Sequence, residues 1–282
     1  MARCIVTGHK GYIGSHLYNK LQSLAHDVIG IDYTGKNGIN LLSNPTYTHT
    51  LANQKIDYIF HLACIPRVGY SVENPVQTMY NNVISTSKLL NFARQADCKR
   101  LIYAGSSSVV GNGDGPSSPY GLQKLVSEME CKLYSDLYGL DTVTLRYFNV
   151  YSKDQVPTSP YATAICNWME CIREGTKPYI TGSGEQRRDM AYVDDIVDAN
   201  IAAMEYDGKF NGQHFDIGTG SNISLNEIKD IVLQYHDIEF DYVEERKGDV
   251  FMTKANIEPF KQYGWSPKVD LQEGMRRCFQ KK

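Results

Sequence analysis

The chain has 282 residues, 42% of them hydrophobic and 22% charged, with a net charge of -3. That length allows one large or two small domains with a full core, and the composition shows neither a disordered bias nor an apolar run long enough to span a membrane. The slight acidity lacks the basic footprint of a nucleic-acid or anionic-membrane binder, so neither is expected as a partner.

Short apolar runs then alternate with longer stretches of helical period. Residues 3–6 and 27–31 read as strands with a helix over 11–24 between them, and 58–62 is the next strand, followed by a helix over 75–96. A strand at 100–104 leads to a helix over 120–138, and a further strand covers 142–146. Apolar strands alternating with helices predict a doubly wound parallel α/β sheet covered on both faces. After Asn149 the rhythm breaks, with Pro157, Pro160 and Pro178 as punctuation. Helices are expected over 161–174 and 193–206, a short strand over 214–217, a helix from 225, a strand near 240–243 and a last helix from 271. The expected division is a large domain over 1–150, with segments near 189–218 returning to it, and a smaller C-terminal α/β substrate domain from 151–188 and 219–282.

The cysteines stand at 4, 64, 98, 131, 166, 171 and 278, an odd number without CxxC spacing, and no leader is expected before the first apolar run. Reduced thiols in a cytoplasmic setting are expected. The pair His61 and Cys64 has no second half, so no metal site is expected.

The first turn reads CIVTGHKGYIGSHL, with Gly8, Gly11 and Gly14 between a strand and a helix. A tight turn needs a residue tolerant of positive φ, a pyrophosphate needs bare backbone, and the helix start presents unpaired N–H groups to it. Asp32 ends the next strand, where a carboxylate binds ribose hydroxyls. Position and acid together predict a dinucleotide site. Asp32 would repel a 2′-phosphate and favours NAD, while Lys10 inside the loop favours NADP; NAD is the expected cofactor.

The stretch GSSSVVGNGDGPSSPYGLQK, residues 105–124, starts with serines and ends in Tyr120 and Lys124, four apart and on one helical face. A phenolate near neutral pH needs roughly 4 kcal/mol of stabilisation over a free tyrosine. A neighbouring ammonium and the positive ring of an oxidised nicotinamide are charges of the right sign. A phenol so tuned takes a proton from a sugar hydroxyl as hydride leaves the same carbon, with a strand-end serine as second partner.

With these residues in place, the chain resembles the extended short-chain dehydrogenase/reductase family, specifically its NAD-dependent sugar-nucleotide epimerases and dehydratases. TGHKGYIG is similar to TGxxGxIG, HLACIPRVGYSVENP to HLAAxxxVxxSxxxP, NNVISTSKLL to NVxGTxxLL and YAGSSSVVG to YASSSxVYG. SPYGLQKLVSE resembles SPYGxSKLxxE, RYFNVYS resembles RxxNVYGP, GEQRRDMAYVDDI resembles GxQxRDFxYVxDV, and ERKGDV contains RxGD. The resemblance implies a Rossmann fold and a cytoplasmic UDP-sugar 4-epimerase. It implies Ser106 as catalytic hydroxyl, Tyr120 as base and Lys124 as electrostatic partner. It implies NAD contacts from Gly8, Gly11, Tyr12, Ile13, Gly14, Asp32, Leu62, Ala63, Asn82 and Tyr147, besides Tyr120 and Lys124. Sugar-nucleotide contacts fall to Ser107, Ser108, Asn149, Arg188, Arg246 and Asp249, and a homodimer through the helices over 75–96 and 120–138 follows the family's habit.

Some positions depart from the pattern. The segment between Ser106 and Tyr120 is short by about ten residues against the family's usual length. Val110 replaces a Tyr, Ser85 a Gly, and Asn40-Leu41 an Asp-aliphatic pair that often contacts adenine. Ser107-Ser108 stands where dehydratases of the family carry Asp-Glu, which by subtraction points to epimerisation. An NADP-dependent 4-keto-sugar reductase or epimerase–reductase is the alternative enzyme, and a dinucleotide-binding protein without catalysis the alternative of another class. Thr253 is small enough to admit an N-acetyl or carboxylate-bearing sugar.

Overall fold

The computed structural model describes residues 1–33, 40–42, 51, 54–155, 163–245 and 250–280. Its centre is a six-stranded sheet of β1 (Arg3–Thr7), β2 (Asp27–Ile31), β3 (Tyr58–His61), β4 (Arg100–Ser106), β5 (Thr142–Tyr147) and, returning from late in the chain, Gln213–Ile217. The order across the sheet is Gln213–Ile217, β5, β4, β3, β1, β2, with every neighbouring pair parallel. Strand order therefore reverses between β1 and β3, and the loops that follow those two strands part company there.

Residues along each strand alternate between two cores, which is why these strands read as continuous apolar runs. Cys4, Val6, Phe60, Ile102 and Val143 face one core, while Ile5, Ile59, Leu101 and Tyr103 face the other. Helix α1 (Tyr12–Ser23) follows β1. After β3 come α2 (Val68–Glu73), α3 (Pro75–Met79), a π-helical turn Tyr80–Ile84 and α4 (Ser85–Gln95). The helix expected over 75–96 is thus present but carries a wide turn, and α2 was not expected at all.

Helix α5 (Pro119–Tyr138) has ordinary start and stop signals. Ser118 Oγ accepts the Gly121 amide at 3.1 Å, Pro119 fills the first turn, and Gly139 at φ +70° ends it in the left-handed region. Glu128 of this helix takes a two-pronged ion pair from Arg146 of β5, at 2.8 and 2.5 Å.

Later elements are short. They comprise β6 (Asn149–Tyr151), α6 (Ala164–Glu174), β7 (Tyr179–Thr181), β8 (Arg187–Arg188), β9 (Met190–Tyr192), α7 (Val193–Glu205), β10 (Gln213–Ile217), β11 (Ile223–Ser224), α8 (Leu225–Val232), β12 (Asp241–Val243), α9 (Glu258–Lys261) and α10 (Leu271–Phe279). Three two-stranded pairs join β11 with β8, β12 with β7 and β6 with β9. Asp195 of α7 accepts the amides of Lys268 and Val269 at 2.8 and 3.1 Å, and its carbonyl accepts the Trp265 indole, so the C-terminal segment is fastened to the helix beside the sheet. Among the described residues no helix is long and apolar enough to cross a membrane.

The return of the chain to β10 depends on one buried ion pair. Arg100 Nε donates to Asp141 Oδ2 at 2.6 Å, and the same guanidinium donates to the carbonyls of Ala203 in the last turn of α7 and of Tyr206 and Gly208 beyond it. Asp141 Oδ1 accepts the amides of Phe210 and Asn211 at 2.8 and 3.0 Å. Removing one partner of a buried pair leaves the other charge uncompensated. Arg100→Met is expected to lower unfolding stability by about 3–5 kcal/mol, measured by urea titration.

Candidate active site

The parting of the loops after β1 and β3 opens a cleft of about 640 Å³. Its floor turns at Gly8, where φ is +71° and an added Cβ would lie 2.9 Å from the Ala63 amide nitrogen. A Cβ on Gly14 would meet the Gly8 carbonyl oxygen at 2.1 Å, so helix α1 packs against the turn only as glycine. Gly11 is the N-cap of α1; no side chain caps the helix and its first turn holds no acid. Gly8, Gly11, Tyr12, Ile13 and Gly14 all line the cleft. An uncapped helix start behind bare backbone fits the pyrophosphate of a dinucleotide. Asp32 lines the cleft at the end of β2, and its Oδ2 accepts the Lys10 amide at 3.1 Å.

At the other end stands the serine–tyrosine–lysine group. Strand β4 runs two residues further than the sequence pattern suggests and carries Ser106 at its tip. Ser106 Oγ accepts the Ser108 amide at 3.2 Å and donates to Ser108 Oγ at 3.1 Å, closing a single 3-10 turn, Ser107–Val109. Tyr120 opens α5, and its amide donates to Ser71 Oγ at 3.0 Å. Lys124, one turn on, donates from Nζ to the Ala104 carbonyl at 2.7 Å and sits 6.0 Å from the Tyr120 ring centre. Ser106, Ser107, Ser108, Tyr120 and Lys124 line the same cleft.

This convergence needs Gly121. A Cβ there would lie 2.6 Å from the Ser108 carbonyl oxygen, so the helix start and the turn after β4 touch backbone to backbone. The short loop between them closes in a similar way, with Gly111 at φ +57° and its Cβ position only 2.0 Å from the Gly115 carbonyl oxygen.

The protonation of the phenol is set by burial against two opposing neighbours. Burial pushes the Tyr120 phenol up to about 12, although the Lys124 ammonium and the nearby Ser106 hydroxyl both act to lower it. Lys124 stays above the ordinary lysine value: burial acts to lower it, and the facing Cys64 and Tyr120 outweigh that. In the protein alone the phenol is protonated, because desolvation of the anion exceeds what one ammonium returns.

The remaining expected residues are distributed unevenly. Leu62, Ala63, Tyr147 and Asn149 line the cleft. The Tyr147 hydroxyl donates to Asn200 Oδ1 at 3.0 Å, and Asn149 Nδ2 donates to the Asp189 carbonyl at 3.0 Å and to Thr253 Oγ1 at 3.3 Å. Phe251 and Met252, beside Thr253, are exposed. Asn82 is buried behind the wall: its Oδ1 accepts the Ile65 amide at 2.7 Å, and its Nδ2 donates to the Ile65 carbonyl at 3.2 Å and to Gln123 Oε1 at 2.8 Å. Arg188 lines a second hollow of about 280 Å³ with Thr219, Ser221 and Lys268, and donates to the carbonyls of Arg187 and Phe251. Asp189 accepts from Thr219, Gly220 and Ala255, and Asp194 pairs with Arg277. Arg246 and Asp249 lie outside the described residues.

Sequence reasoning passed over Gln77, Asn81, Ser85, Gln155 and Thr163, all in the cleft lining. The four-residue spacing of the first three was the available signal. It also set aside His61 as a weak metal candidate, and the structure explains the residue otherwise. Nδ1 is 2.8 Å from Thr7 Oγ1 and Nε2 is 2.9 Å from Thr86 Oγ1. Thr7 Oγ1 accepts the Ala63 amide, and Thr86 donates to the Asn82 carbonyl, so the imidazole is neutral with its proton on Nε2.

Residues 4–218 match the NAD dependent epimerase/dehydratase family. A putative UDP-glucose 4-epimerase of Methanocaldococcus jannaschii is 35% identical over 299 residues, covering 97% of this chain and 96% of that protein. The crystal structure of UDP-glucose 4-epimerase from Thermotoga maritima with UDP-glucose aligns at TM-score 0.91 and 30% identity, covering 98% of this chain and 97% of that one. UDP-glucuronic acid 4-epimerase from Bacillus cereus, in complex with UDP-glucuronic acid and NAD, aligns at TM-score 0.88 and 27% identity, covering 98% of both chains.

Burial holds His61 down to about 3, against 6.5 for a free imidazole. An unfolded chain therefore binds a proton there that the folded one refuses, and stability falls as pH drops from 6.5 toward 3. The urea midpoint is expected to fall more steeply over that window in the wild type than in His61→Gln, which lacks the titrating group.

Proposed function

The chain belongs to the NAD dependent epimerase/dehydratase family, and on that premise we propose that it inverts the 4-hydroxyl of a UDP-sugar with NAD as its cofactor. The observation that carries the reading is a single cleft lined at one end by the glycine turn and Asp32 and at the other by Ser106, Tyr120 and Lys124. The UDP-sugar 4-epimerases similar to this chain over nearly its full length support it.

Bound NAD supplies the acceptor and donor of hydride at sugar C4. Tyr120 takes the 4-hydroxyl proton as hydride leaves and returns it after the 4-keto sugar has turned its other face. Ser106 shares that proton through its hydroxyl. Lys124, held by the Ala104 carbonyl, keeps a positive charge beside the phenol and favours its ionised form. Ser107 and Ser108 are hydroxyls, too weakly acidic to expel water from the sugar, which favours epimerisation over dehydration. Asp32 at the ribose position favours NAD over a 2′-phosphorylated cofactor.

Residues 151–188 and 219–282 form, in this reading, the lobe that holds the nucleotide. Asn149, Arg188, Arg246 and Asp249 are its contacts, the guanidinium forks being suited to phosphate oxygens. Seven free cysteines suit a cytoplasmic enzyme. Val76, Met79, Leu122, Met129, Leu133 and Leu137 expose apolar surface on α3 and α5, and a homodimer through these helices would cover it.

Tyr120→Phe is expected to slow epimerisation 10²–10⁴-fold, about the contribution of a general base, with NAD still bound. Product formation is read by NMR of the sugar and the cofactor by chromatography after denaturation; an undiminished rate removes Tyr120 from the chemistry. For the assembly, Met129→Glu with Leu133→Glu is expected to convert a dimer to a monomer in light scattering, and an unchanged mass places the interface elsewhere.

A further inference from the structure

Helix α5 carries more than the tyrosine and the lysine. Between them stands Gln123, 1% exposed and outside the cleft lining. The pattern that SPYGLQKLVSE resembles has serine at this position. A carboxamide is longer than a hydroxymethyl group and offers two donors beside its acceptor oxygen, so its partners show what the exchange achieves.

Gln123 Nε2 donates to the Pro75 carbonyl at 3.3 Å and to Thr78 Oγ1 at 2.9 Å, both on α3. Its Oε1 accepts Asn82 Nδ2 at 2.8 Å. Asn82 Nδ2 also donates to the Ile65 carbonyl at 3.2 Å, and Asn82 Oδ1 accepts the Ile65 amide at 2.7 Å. This relay has a fixed polarity at each end. A carbonyl only accepts, so Pro75 draws Nε2 toward itself and leaves Oε1 for Asn82. A backbone N–H only donates, so Ile65 holds Oδ1 and leaves Nδ2 for Gln123. Ser127, one turn along α5, donates to the Asn82 carbonyl at 3.1 Å and secures the backbone of the same residue. Asn82 itself lies in the π-helical turn Tyr80–Ile84.

Ile65 belongs to the loop after β3, and with Leu62, Ala63 and Cys64 it lines the cleft. Tyr120 and Lys124, on either side of Gln123 along α5, line it from the opposite element. We infer that Gln123 is a positioning residue, which through Asn82 sets the spacing between the loop after β3 and the wall that carries Tyr120 and Lys124. This inference rests on the epimerase reading above. In that reading hydride passes to the cofactor and the proton to Tyr120, so a change of spacing misaligns the two transfers. A misplacement of about 1 Å costs roughly 100-fold in rate.

Turnover of UDP-glucose, UDP-glucuronic acid or UDP-N-acetylglucosamine is followed by NMR of the product and counted per bound NAD, so unfolded protein does not enter the rate. Gln123→Leu, which neither donates nor accepts, is expected to lower kcat by about 10–100-fold and to leave KM within about twofold. Deuterium exchange of the Ile65 amide, read by mass spectrometry, is expected to quicken in this variant, because Asn82 loses the partner that orients it. Gln123→Glu keeps the size of the side chain. Its neutral carboxyl offers one O–H donor and one acceptor, whereas its carboxylate sets oxygen against the Pro75 carbonyl. Burial raises the titration of a carboxyl, so the kcat of Gln123→Glu relative to wild type is expected to fall as pH rises from about 6 to 9. A wild-type kcat in Gln123→Leu, a defect confined to KM, or a Gln123→Glu ratio that does not fall with pH overturns the assignment. Wild type that interconverts none of the three sugars overturns the epimerase reading itself, and the inference with it.

Discussion

The neutral imidazole of His61 is the joint on which the cleft depends. Strand order reverses between β1 and β3, so the backbone loops after those strands separate and side chains must tie them together. Thr7 on β1 receives the Ala63 amide and bonds to His61 on β3, which bonds to Thr86 on α4. Thr86 and Ser127 both donate to the Asn82 carbonyl, and Asn82 clamps the backbone of Ile65 and reaches Gln123 on α5. Thr7, His61 and Thr86 each donate once and accept once in this chain, and an imidazolium, with two donors, would break it at Thr7. Burial and the network therefore favour the same protonation state, and both walls of the cleft keep their distance as a result.

Against that frame of fixed walls, the chemistry at the far end is a balance between burial and charge. Tyr120, Lys124 and Ser106 are almost withdrawn from water, which strengthens every charge effect among them and also penalises the phenolate. Lys124 and Ser106 offset part of that penalty. A positive nicotinamide beside the phenol is the further charge that would complete it, which ties proton transfer to the presence of oxidised cofactor. Close packing at Gly121 and Ser108 holds the three groups in reach of one another.

Much of this was legible in the chain. The five early strands, α1, α5 and the spacing of Tyr120 and Lys124 follow from periodicity and glycine placement, which are local, while the choice of Ser106 among three serines came from the family resemblance. Other features were not. Helix α2 has six residues and lies between Arg67 and Asn74, too short for a helical period to register. The π turn inside the expected helix over 75–96 has no local composition of its own. The paired strands after Asn149 run two or three residues each, below the length at which alternation is informative. Asn82 and Asn81 stand side by side in NNV, and only the fold separates them: one is buried as a clamp, the other faces the cleft.

What the sequence by itself determined is therefore the sheet, the glycine turn and the order serine, tyrosine, lysine, because each is written in residues within a few positions of one another. Tertiary structure decided the rest. It placed Gly121 against Ser108 so that the stretch 105–124 becomes one wall of a cleft, gave His61 two threonine partners, and set the phenol high through burial. Those outcomes depend on desolvation and on contacts between residues far apart in the chain, and neither quantity is carried by any local pattern.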